Sequence, residues 1–512
     1  MLAIVVVSPL PSMSPVLEQG FFQQAYEQYC AVVETLSAAE SGGWEHGEVE
    51  RYINESGREL LRRLFQGHLD RRYSEEVEYR PVVGADGEVR PHRRKRTQRQ
   101  LETLFGEVVV RRVGYSSQQA GVSALYPGDG QLNLPPDKYS DELRRRVAEE
   151  ASKVSFAETS RTIGETTGAQ VGKRQCEAVT VSVAQDFEAF YRQRSGVATT
   201  GGEDELLVLS TDGKGIIMHP ADLREATAKA AATAPPSQQA RLSPGQKRQR
   251  KRMATVASVY QVPRYPRRAE DIIGDSREPP QRPLVHDKRV WASVQQDAKT
   301  VIASAFDEAL ARDPEHQRQW VVLVDGEPHQ LNRLRAMAQH HAVEVTIVLD
   351  FIHVLEYLWK AAFCFYPVGT PAAEAWVQEQ ALRLLNGQAR EVAADLRYRA
   401  TQQALSSKAR ENADKCADYL LKYHPYLRYD HYLTQGYPIA SGIIEGACRH
   451  LVRDRMDITG ARWRLDCAEA VLRLRALRSS HDFDAYWQFH KLQEFKRNHL
   501  ARFQEPERVL NA

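Results

Sequence analysis

The sequence lacks paired cysteines. Its six cysteines (Cys30, Cys176, Cys364, Cys416, Cys448 and Cys467) are scattered, and no two of them form a C-x-x-C pair. This spacing argues against a structural zinc module and against a disulfide framework, and it suits a reducing cytosol. We therefore expect a cytoplasmic protein that is stabilised by an apolar core.

Long apolar runs are also missing. The run at the N-terminus, Leu2 to Val7, is short, has no basic residue before it and is followed by Pro9 and Pro11. It is too short to span a bilayer and is a poor signal peptide, so we expect no membrane partner. Residues 1–16 are interpreted as a disordered lead or as the product of a start codon assigned too far upstream.

A large net charge is absent as well, because 69 Lys and Arg residues nearly balance 67 Asp and Glu residues, for a net charge of +2. The 512 residues, with 42% apolar and 27% charged side chains, are typical of a soluble protein of two to four domains. The neutral average conceals local segregation of charge, which the following stretches show.

Three apolar, strand-like runs end in aspartate. Residues 205–211 lead to Asp212-Gly213, residues 320–324 lead to Asp325-Gly326, and residues 343–349 lead to Asp350. If these strands share one sheet, their carboxylates converge at one end of it. Because clustered carboxylates repel each other, a bound cation is the expected compensation. A lone aspartate at a strand end is, however, more often a turn residue or a helix cap.

Basic residues are concentrated in the N-terminal part. Residues 17–80 have helical periodicity, an Asp86-Gly87 hairpin signal follows, and residues 90–99 hold six Arg and Lys residues with no acid, among them Arg93, Arg94, Lys95 and Arg96. Residues 107–115 are predicted to form a strand. Such a basic seam is either a solvated face or a surface that contacts phosphates, and the features that follow favour phosphates.

Two short helices with a glycine-containing turn are predicted between residues 155 and 183, after a linker at 120–137. The pair fits a helix-turn-helix, whose second helix would present Lys173, Arg174 and Gln175 to base edges, although a plain helical hairpin fits the pattern equally well. A second basic run, read as a mobile loop, contains Lys247, Arg248, Arg250, Lys251 and Arg252.

The order of elements after residue 205 is three strands, helix, strand, helix, strand, which matches a ribonuclease-H-like α/β sheet. Its third strand is assigned to residues 253–262, its second to 215–218 and its first helix to 291–311. From 351 to about 429 the pattern is wholly helical and suggests an inserted domain. A later helix carries Glu445, with Ser441 as its expected N-cap and Arg449 and Arg453 as candidate contacts to the DNA backbone.

These motifs together resemble a DDE transposase of a bacterial insertion sequence, of the ISKra-type group related to Mutator-like transposases. The resemblance is carried by the two strand-Asp-Gly motifs, by Asp350-Phe-Ile-His353, by the helical insertion and by the run from Ile444 to Trp463. It covers roughly residues 200–480. It implies that Asp212, Asp325 and Glu445 are the catalytic metal ligands, and that Asp350 and His353 are an accessory element.

The resemblance implies two Mg²⁺ or Mn²⁺ ions, which suit carboxylate ligands and in-line phosphodiester chemistry. It also implies double-stranded DNA as partner, namely terminal inverted repeats and target DNA, and a homo-oligomer on DNA. Asp350 and His353 are either metal ligands or a helix N-cap with a hydrogen-bonded histidine. The alternative functions are a non-catalytic DNA-binding regulator derived from a transposase and, less favoured, a single-zinc hydrolase built on Asp350 and His353.

The expected fold is therefore α/β, with a ribonuclease-H-like core that an all-helical insertion interrupts, preceded by helical and small α+β DNA-binding regions. The expected segments are a lead at 1–16, an α+β module at 17–120, a helical DNA-binding region at 138–200, the core at 201–360, the insertion at 361–436, the rest of the core at 437–480 and a helical tail at 481–512.

Overall fold

The computed structural model describes residues 20–76, 81–194, 204–233, 250–274, 281–458 and 460–506. The lead predicted for residues 1–16 and two of the basic residues, Lys247 and Arg248, lie outside these ranges. The chain divides into two compact units, one formed by residues 1–186 and 484–512 and the other by residues 187–483.

The first unit begins with two helices and continues with two hairpins and a helical group. Its elements are α1 Gln23–Ser37, α2 His46–Ser74, β1 Val82–Val83, β2 Val89–Arg90, β3 His92–Thr103, β4 Gly106–Ser116, α3 Pro127–Gln131, α4 Asp141–Ala151, α5 Phe156–Thr166 and α6 Lys173–Val183, with a 3-10 turn at Ala39–Gly43. Strands β1 and β2 pair around Asp86-Gly87, and β3 pairs with β4, so both hairpins are antiparallel. The predicted Asp-Gly hairpin is confirmed.

Residues 120–137 are not a linker. They contain α3 and the buried side chains of Leu125 and Leu134, which pack with the β3–β4 hairpin and the end of α2. Asp129 of this segment forms ion pairs with Arg99 and Arg112. The glycines, prolines and aspartates that suggested a linker thus make a short helix and its turns, held by apolar contacts and by charge.

The second unit is built on one five-stranded sheet. Its elements are α7 Phe187–Arg194, β5 Glu205–Ile217, α8 Glu225–Thr233, β6 Lys251–Pro263, β7 His286–Ser293, α9 Ala298–Arg312, β8 Trp320–Val324, α10 Pro328–His340, β9 Val345–Leu349, α11 Phe351–Ala362, α12 Pro371–Leu385, α13 Ala389–Gln402, α14 Glu411–Lys422, α15 Tyr429–Thr434, α16 Gly442–Ala447, α17 Asp454–Met456 and α18 Leu465–Ser479. Residues Cys448–Arg453 form a π-helical turn between α16 and α17. The last helix, α19 Phe483–Asn498, lies in the first unit from Asp484 onward.

The sheet order is β7-β6-β5-β8-β9. Strand β6 is antiparallel to both of its neighbours, whereas β5, β8 and β9 are parallel. Strand β8 is buried throughout and β5 is buried from Leu206 to Thr211, as the continuous apolar runs predict for strands covered on both faces. The mixed α/β class is therefore confirmed.

One predicted strand is wrong, and one observed strand is absent from the prediction. Residues 215–218 do not form a separate strand, because β5 runs through Asp212 to Ile217 and pairs with β6 along its whole length. The third strand in chain order is β7, which occupies the start of the helix predicted at 291–311; α9 begins only at Ala298, capped by Asp297. Among the described residues, no helix combines the length and the apolar character needed to cross a membrane.

Candidate metal centre at the sheet edge

Strand register brings the three aspartates to one level of the sheet. Leu207 to Ser210 pair in order with Trp320 to Leu323, and Trp320 to Val324 pair in order with Val345 to Leu349. Continued by one or two residues, these registers set Asp212, Asp325 and Asp350 side by side on neighbouring strands, which lie about 4.8 Å apart. The difference in residue number between paired residues is constant along each strand pair, and this constant register brings the three aspartates together as the sequence predicts.

Asp325 sits where β8 ends, and its surroundings fix the carboxylate. Its Oδ1 accepts a hydrogen bond from the backbone N–H of Glu327 at 2.9 Å. Gly326, with φ of +91°, makes the turn, and a Cβ there would meet the Leu349 side chain at 3.0 Å. Burial raises the pKa of Asp325, and the negative charge of Asp212 raises it further, whereas the Glu327 hydrogen bond and His353 oppose the shift.

The segment from Ser441 to Cys448 crosses the row of aspartates. At one end, the Ser441 hydroxyl donates a hydrogen bond to Oδ2 of Asp350. At the other end, the Cys448 thiol donates to Oδ2 of Asp212 at 3.0 Å. Glu445 lies between these two anchors, so it faces the same edge. Burial raises its pKa, and the nearby charges of Asp350 and Asp212 add to the effect while His353 opposes it.

His353 adds a nitrogen donor to the cluster. Its Nε2 lies 4.0 Å from Oδ2 of Asp325. One potential ligand atom from each of Asp350, His353 and Glu445 falls within 4.8 Å of the others, close enough for the three residues to hold a metal ion. Asp350 is also the N-cap of α11, since its Oδ1 accepts a hydrogen bond from the N–H of Ile352 at 2.8 Å. The helix-cap interpretation and the ligand interpretation of Asp350 are therefore compatible.

The predicted capping role of Ser441 is wrong. Ser441 occupies the N-cap position of α16, but its side chain accepts no hydrogen bond from that helix. The hydroxyl is turned toward Asp350 instead, where the buried carboxylate needs a donor. This contact and the Cys448 contact could not be foreseen individually, although Cys448 stands one helical turn after Glu445, a spacing that places both on one face.

Four tyrosines of the helical region form hydrogen bonds with the backbone of β8 and β9 and of the residues that follow β8. Their hydroxyls donate to backbone carbonyls in or just beyond β8 and β9: Tyr419 to Asp325 at 3.2 Å, Tyr423 to Gly326 at 2.5 Å, Tyr429 to Leu349 at 2.8 Å and Tyr432 to Ile347 at 3.2 Å. Ile347 and Leu349 belong to the outer strand β9, and Asp325 and Gly326 follow β8, so the hydroxyls provide these carbonyls with partners from outside the sheet. Helices α14 and α15 therefore support the ends of β8 and β9 that carry Asp325 and Asp350.

The donor set fits a divalent cation. Carboxylate oxygens are the ligands that Mg²⁺ and Mn²⁺ accept. Burial is the main cause of the raised pKa of Asp325 and of Glu445, and neighbouring carboxylates add a smaller repulsion that a cation would relieve. Among the described residues, Asp350, His353 and Glu445 are the only group of three whose ligand atoms all lie within 4.8 Å of one another, and it offers both oxygen and nitrogen. Asp212 and Asp325 lie beside this group, but with Glu445 they do not form a group at that distance.

The candidate DNA-binding residues fall into two classes. Most have exposed side chains: Arg94, Lys95 and Arg96 on β3; Lys173, Arg174 and Gln175 in the first turn of α6; Arg250 and Lys251 at the start of β6; Arg449 and Arg453 after Glu445. Arg93 is half-buried. Arg252 donates to the carbonyls of Asp222, Val294 and Gln295, so its guanidinium is committed to the fold.

Two corrections follow for these basic stretches. Lys251 and Arg252 belong to strand β6 and not to a loop. Residues 92–99, read only as a charged run, form the first part of β3, with a register shift between Arg94 and Thr97 where Arg96 adopts a positive φ of 65°. The helix pair α5 and α6 is present as predicted, with the turn between Thr166 and Lys173.

No protein-family model matches this sequence, and a search of curated proteins finds no significant match.

Proposed function

We propose that this chain is a DDE-type DNA transposase, which cleaves phosphodiester bonds at the ends of a mobile element and joins the freed 3′ ends to target DNA. The observation that carries the proposal is the placement of Asp212, Asp325 and Glu445 around one edge of one sheet. These residues are 113 and 120 positions apart, so the folded chain had to unite them.

The architecture supports the same proposal. Apart from the short helix α8 between β5 and β6, the order is three strands, a helix, a strand, a helix and a strand, and the five strands form a single sheet. We associate this order with a ribonuclease-H-like core. Between β9 and α16 the described chain contains only helices and turns, as an inserted helical domain would. We assign residues 361–436 to that insertion.

Each carboxylate has a defined part in the proposed chemistry. Asp212, Asp325 and Glu445 would hold two Mg²⁺ or Mn²⁺ ions, which supply a nucleophile at neutral pH and neutralise charge on the leaving oxygen. Glu327 N–H and Cys448 orient Asp325 and Asp212, so that their remaining oxygen lone pairs face the cations. Asp350 and His353 would position Glu445 or add a ligand beside it.

DNA would be held by the exposed basic residues. Arg449 and Arg453 lie within two turns of Glu445, where they would contact the phosphates that flank the cleaved bond. In the first unit, the exposed residues of β3 and α6 provide charge for backbone contacts and donors for base edges. Double-stranded DNA, as terminal repeats and as target, is accordingly the proposed partner, bound by a multimer that holds two ends together.

The direct test is strand cleavage on a plasmid that carries the DNA flanking the gene. We expect Asp212→Ala and Asp325→Ala to abolish Mg²⁺-dependent cleavage while DNA binding persists. Asp395→Ala, which removes an exposed aspartate on α13, serves as the matched control and should retain activity. Full cleavage by either site variant would refute the site, and DNA binding without cleavage by the wild type would favour a non-catalytic regulator.

A single-metal hydrolase is the second candidate, because the structure supplies the third ligand that the sequence motif lacked. Asp350, His353 and Glu445 together provide the carboxylate and imidazole donors that Zn²⁺ accepts. This candidate predicts one equivalent of copurifying Zn²⁺, and hydrolysis that survives in Asp212→Asn. Loss of activity in Asp212→Asn would reject it, since Asp212 lies outside that group.

A further inference from the structure

The first two helices expose an unusual amount of apolar surface. Six of the eighteen large apolar side chains that are exposed among the described residues belong to α1 and α2, each of them between 40 and 53% exposed. They are Tyr26, Tyr29, Val33, Ile53, Leu61 and Leu64. Single exposed apolar residues are normal, whereas a concentration of this kind marks an interaction surface.

The six side chains form stripes. On α1 they are spaced three and four residues apart, and on α2 they are spaced eight and three residues apart, so each set occupies one face of its helix. Within the described chain, α2 has 29 residues but only two that are buried, Gly67 and Leu69, both in its last third. A helix of this length gains most of its stability from packing of an apolar face, and here that face is largely uncovered.

Two glycines of α2 differ in the space that a side chain at their position would have. A Cβ on Gly67 would meet the carbonyl oxygen of Phe21 at 2.4 Å, so this glycine permits the close approach of the segment that leads into α1. A Cβ on Gly57 would meet nothing within 4 Å. Glycine inside a helix costs about 1 kcal/mol relative to alanine. Because Gly57 lies four residues from both Ile53 and Leu61, it stands in the middle of the stripe, where a second helix can approach closely.

We infer that this α1–α2 surface is where two copies of the chain associate. Its charges are self-complementary: α1 carries Glu27 and Glu34 and no basic residue, whereas α2 carries six arginines against five acidic residues. Pairing α1 of one copy with α2 of the other sets opposite net charges together around the apolar stripes. An acidic, apolar α1 does not fit the phosphates of nucleic acid.

The size of the surface also suits a second copy. By helix dimensions, α1 and the exposed part of α2 present roughly 500 Å² per copy, or about 1,000 Å² in total. That is about the area that a specific interface between proteins requires. Two hairpins packed face to face make a four-helix arrangement, a common way to bury such stripes.

The test is the oligomeric state of the full-length protein without DNA, measured by sedimentation velocity over a concentration series. We expect a wild-type dimer, and a dissociation constant at least about a hundredfold higher for Ile53→Asp/Leu61→Asp/Leu64→Asp, because three charges would enter an apolar interface. Leu492→Asp, which places the same charge at a 49% exposed leucine of α19, is the control and should remain dimeric.

A second variant distinguishes loss of the interface from misfolding of the chain. Gly57→Trp has open space in one copy, so it should keep the wild-type helix content by circular dichroism yet weaken the dimer by at least about tenfold. A monomeric wild type, or unchanged dimerisation of both variants, would overturn the inference. The result is independent of strand cleavage, because no DNA or metal is present in the experiment.

Discussion

The carboxylates at the sheet edge and the basic residues around β3 are both clusters of one charge. In the structure the two clusters differ in how many of their members have an ion-pair partner. Asp212, Asp325 and Asp350 come from separate strands and remain together, without a basic side chain in ion-pair contact apart from His353 among the described residues. Along the basic stretch, Arg90 is buried and paired with Asp86, and Arg99 reaches Asp129. Uncompensated charge, and not charge density, distinguishes a candidate site from part of the scaffold.

The largest expected effect concerns Glu445, which belongs to the group with Asp350 and His353 and is the proposed co-ligand of Asp212 and Asp325. Glu445→Gln keeps the size of the side chain but removes its charge, so metal-dependent strand cleavage should fall by at least about a thousandfold. Glu356→Gln is the matched control, since Glu356 is an exposed glutamate of α11 whose charge also reaches Glu445. Equal loss in both variants would mean that general electrostatics, and not ligation, accounts for the effect.

The choice of ion can separate ligation by His353 from ligation by the proposed set of Asp212, Asp325 and Glu445. Because imidazole suits Mn²⁺ and Zn²⁺ better than Mg²⁺, His353→Ala should weaken Mn²⁺ binding by about tenfold and leave Mg²⁺ binding nearly unchanged. Asp325→Asn should weaken binding of both ions. Isothermal titration of each ion into the two variants measures this difference. If His353→Ala affected both ions equally, His353 would not be a ligand.

Among the basic residues, substitution of exposed side chains should lower DNA affinity, whereas substitution of a buried arginine should lower the stability of the fold. Arg94→Ala/Lys95→Ala/Arg96→Ala should lower DNA affinity by about tenfold at low salt and flatten the salt dependence, with an unchanged melting temperature. Arg90→Ala should instead destabilise the first unit by about 2–4 kcal/mol, because Asp86 and the carbonyls of Glu88 and Ser123 lose their donor. Filter binding and thermal denaturation distinguish the two outcomes.

The smallest effect concerns stability as a function of pH. A carboxyl whose pKa is raised in the folded state binds its proton more tightly there than in the unfolded chain, so stability falls as pH rises from the ordinary carboxyl pKa through the raised one. Burial raises the pKa of Asp325, so this carboxyl carries such a penalty, which is complete only above the raised pKa. Asp325→Asn should therefore raise the metal-free melting temperature by a few degrees at a pH above the raised pKa, and the gain should vanish at acidic pH below the ordinary carboxyl pKa.

Added Mn²⁺ provides the control for this prediction. It should stabilise the wild type more than Asp325→Asn, because the cation relieves the same repulsion that the substitution removes. A lower melting temperature for metal-free Asp325→Asn would contradict the pKa shift and its cause.

Much of the core could be predicted because its strands are continuous apolar runs that end in an aspartate. The pairing offsets between strands could not be predicted, since they depend on long-range contacts. Strand β5 was underestimated because Gly213 and Gly215 suggest a break, yet pairing with β6 carries the strand through them. Strand β7 is absent from the prediction, and only its last residues, Trp291 to Ser293, fall within the predicted helix. Its buried Arg289 is accommodated by the Tyr191 ring at 3.5 Å and by Glu308.

In the candidate site, too, some residues could be predicted from the sequence and others could not. Aspartates that follow apolar runs indicate Asp212, Asp325 and Asp350 as candidates, because metal chemistry restricts the choice of ligand. The choice of Glu445, which lies on α16, rests on the family resemblance. The supporting contacts of Ser441, Cys448 and the four tyrosines were missed, since hydroxyl and thiol groups are common and their partners are 80 to 236 residues away. Such contacts become visible only when the fold has placed their partners.

The most direct test of the metal centre is anomalous X-ray diffraction from crystals soaked in Mn²⁺. Our account predicts a Mn²⁺ peak with carboxylate oxygens of Asp212, Asp325 and Glu445 at about 2.0–2.6 Å. A peak bound only by Asp350, His353 and Glu445, or no peak at this edge of the sheet, would contradict it.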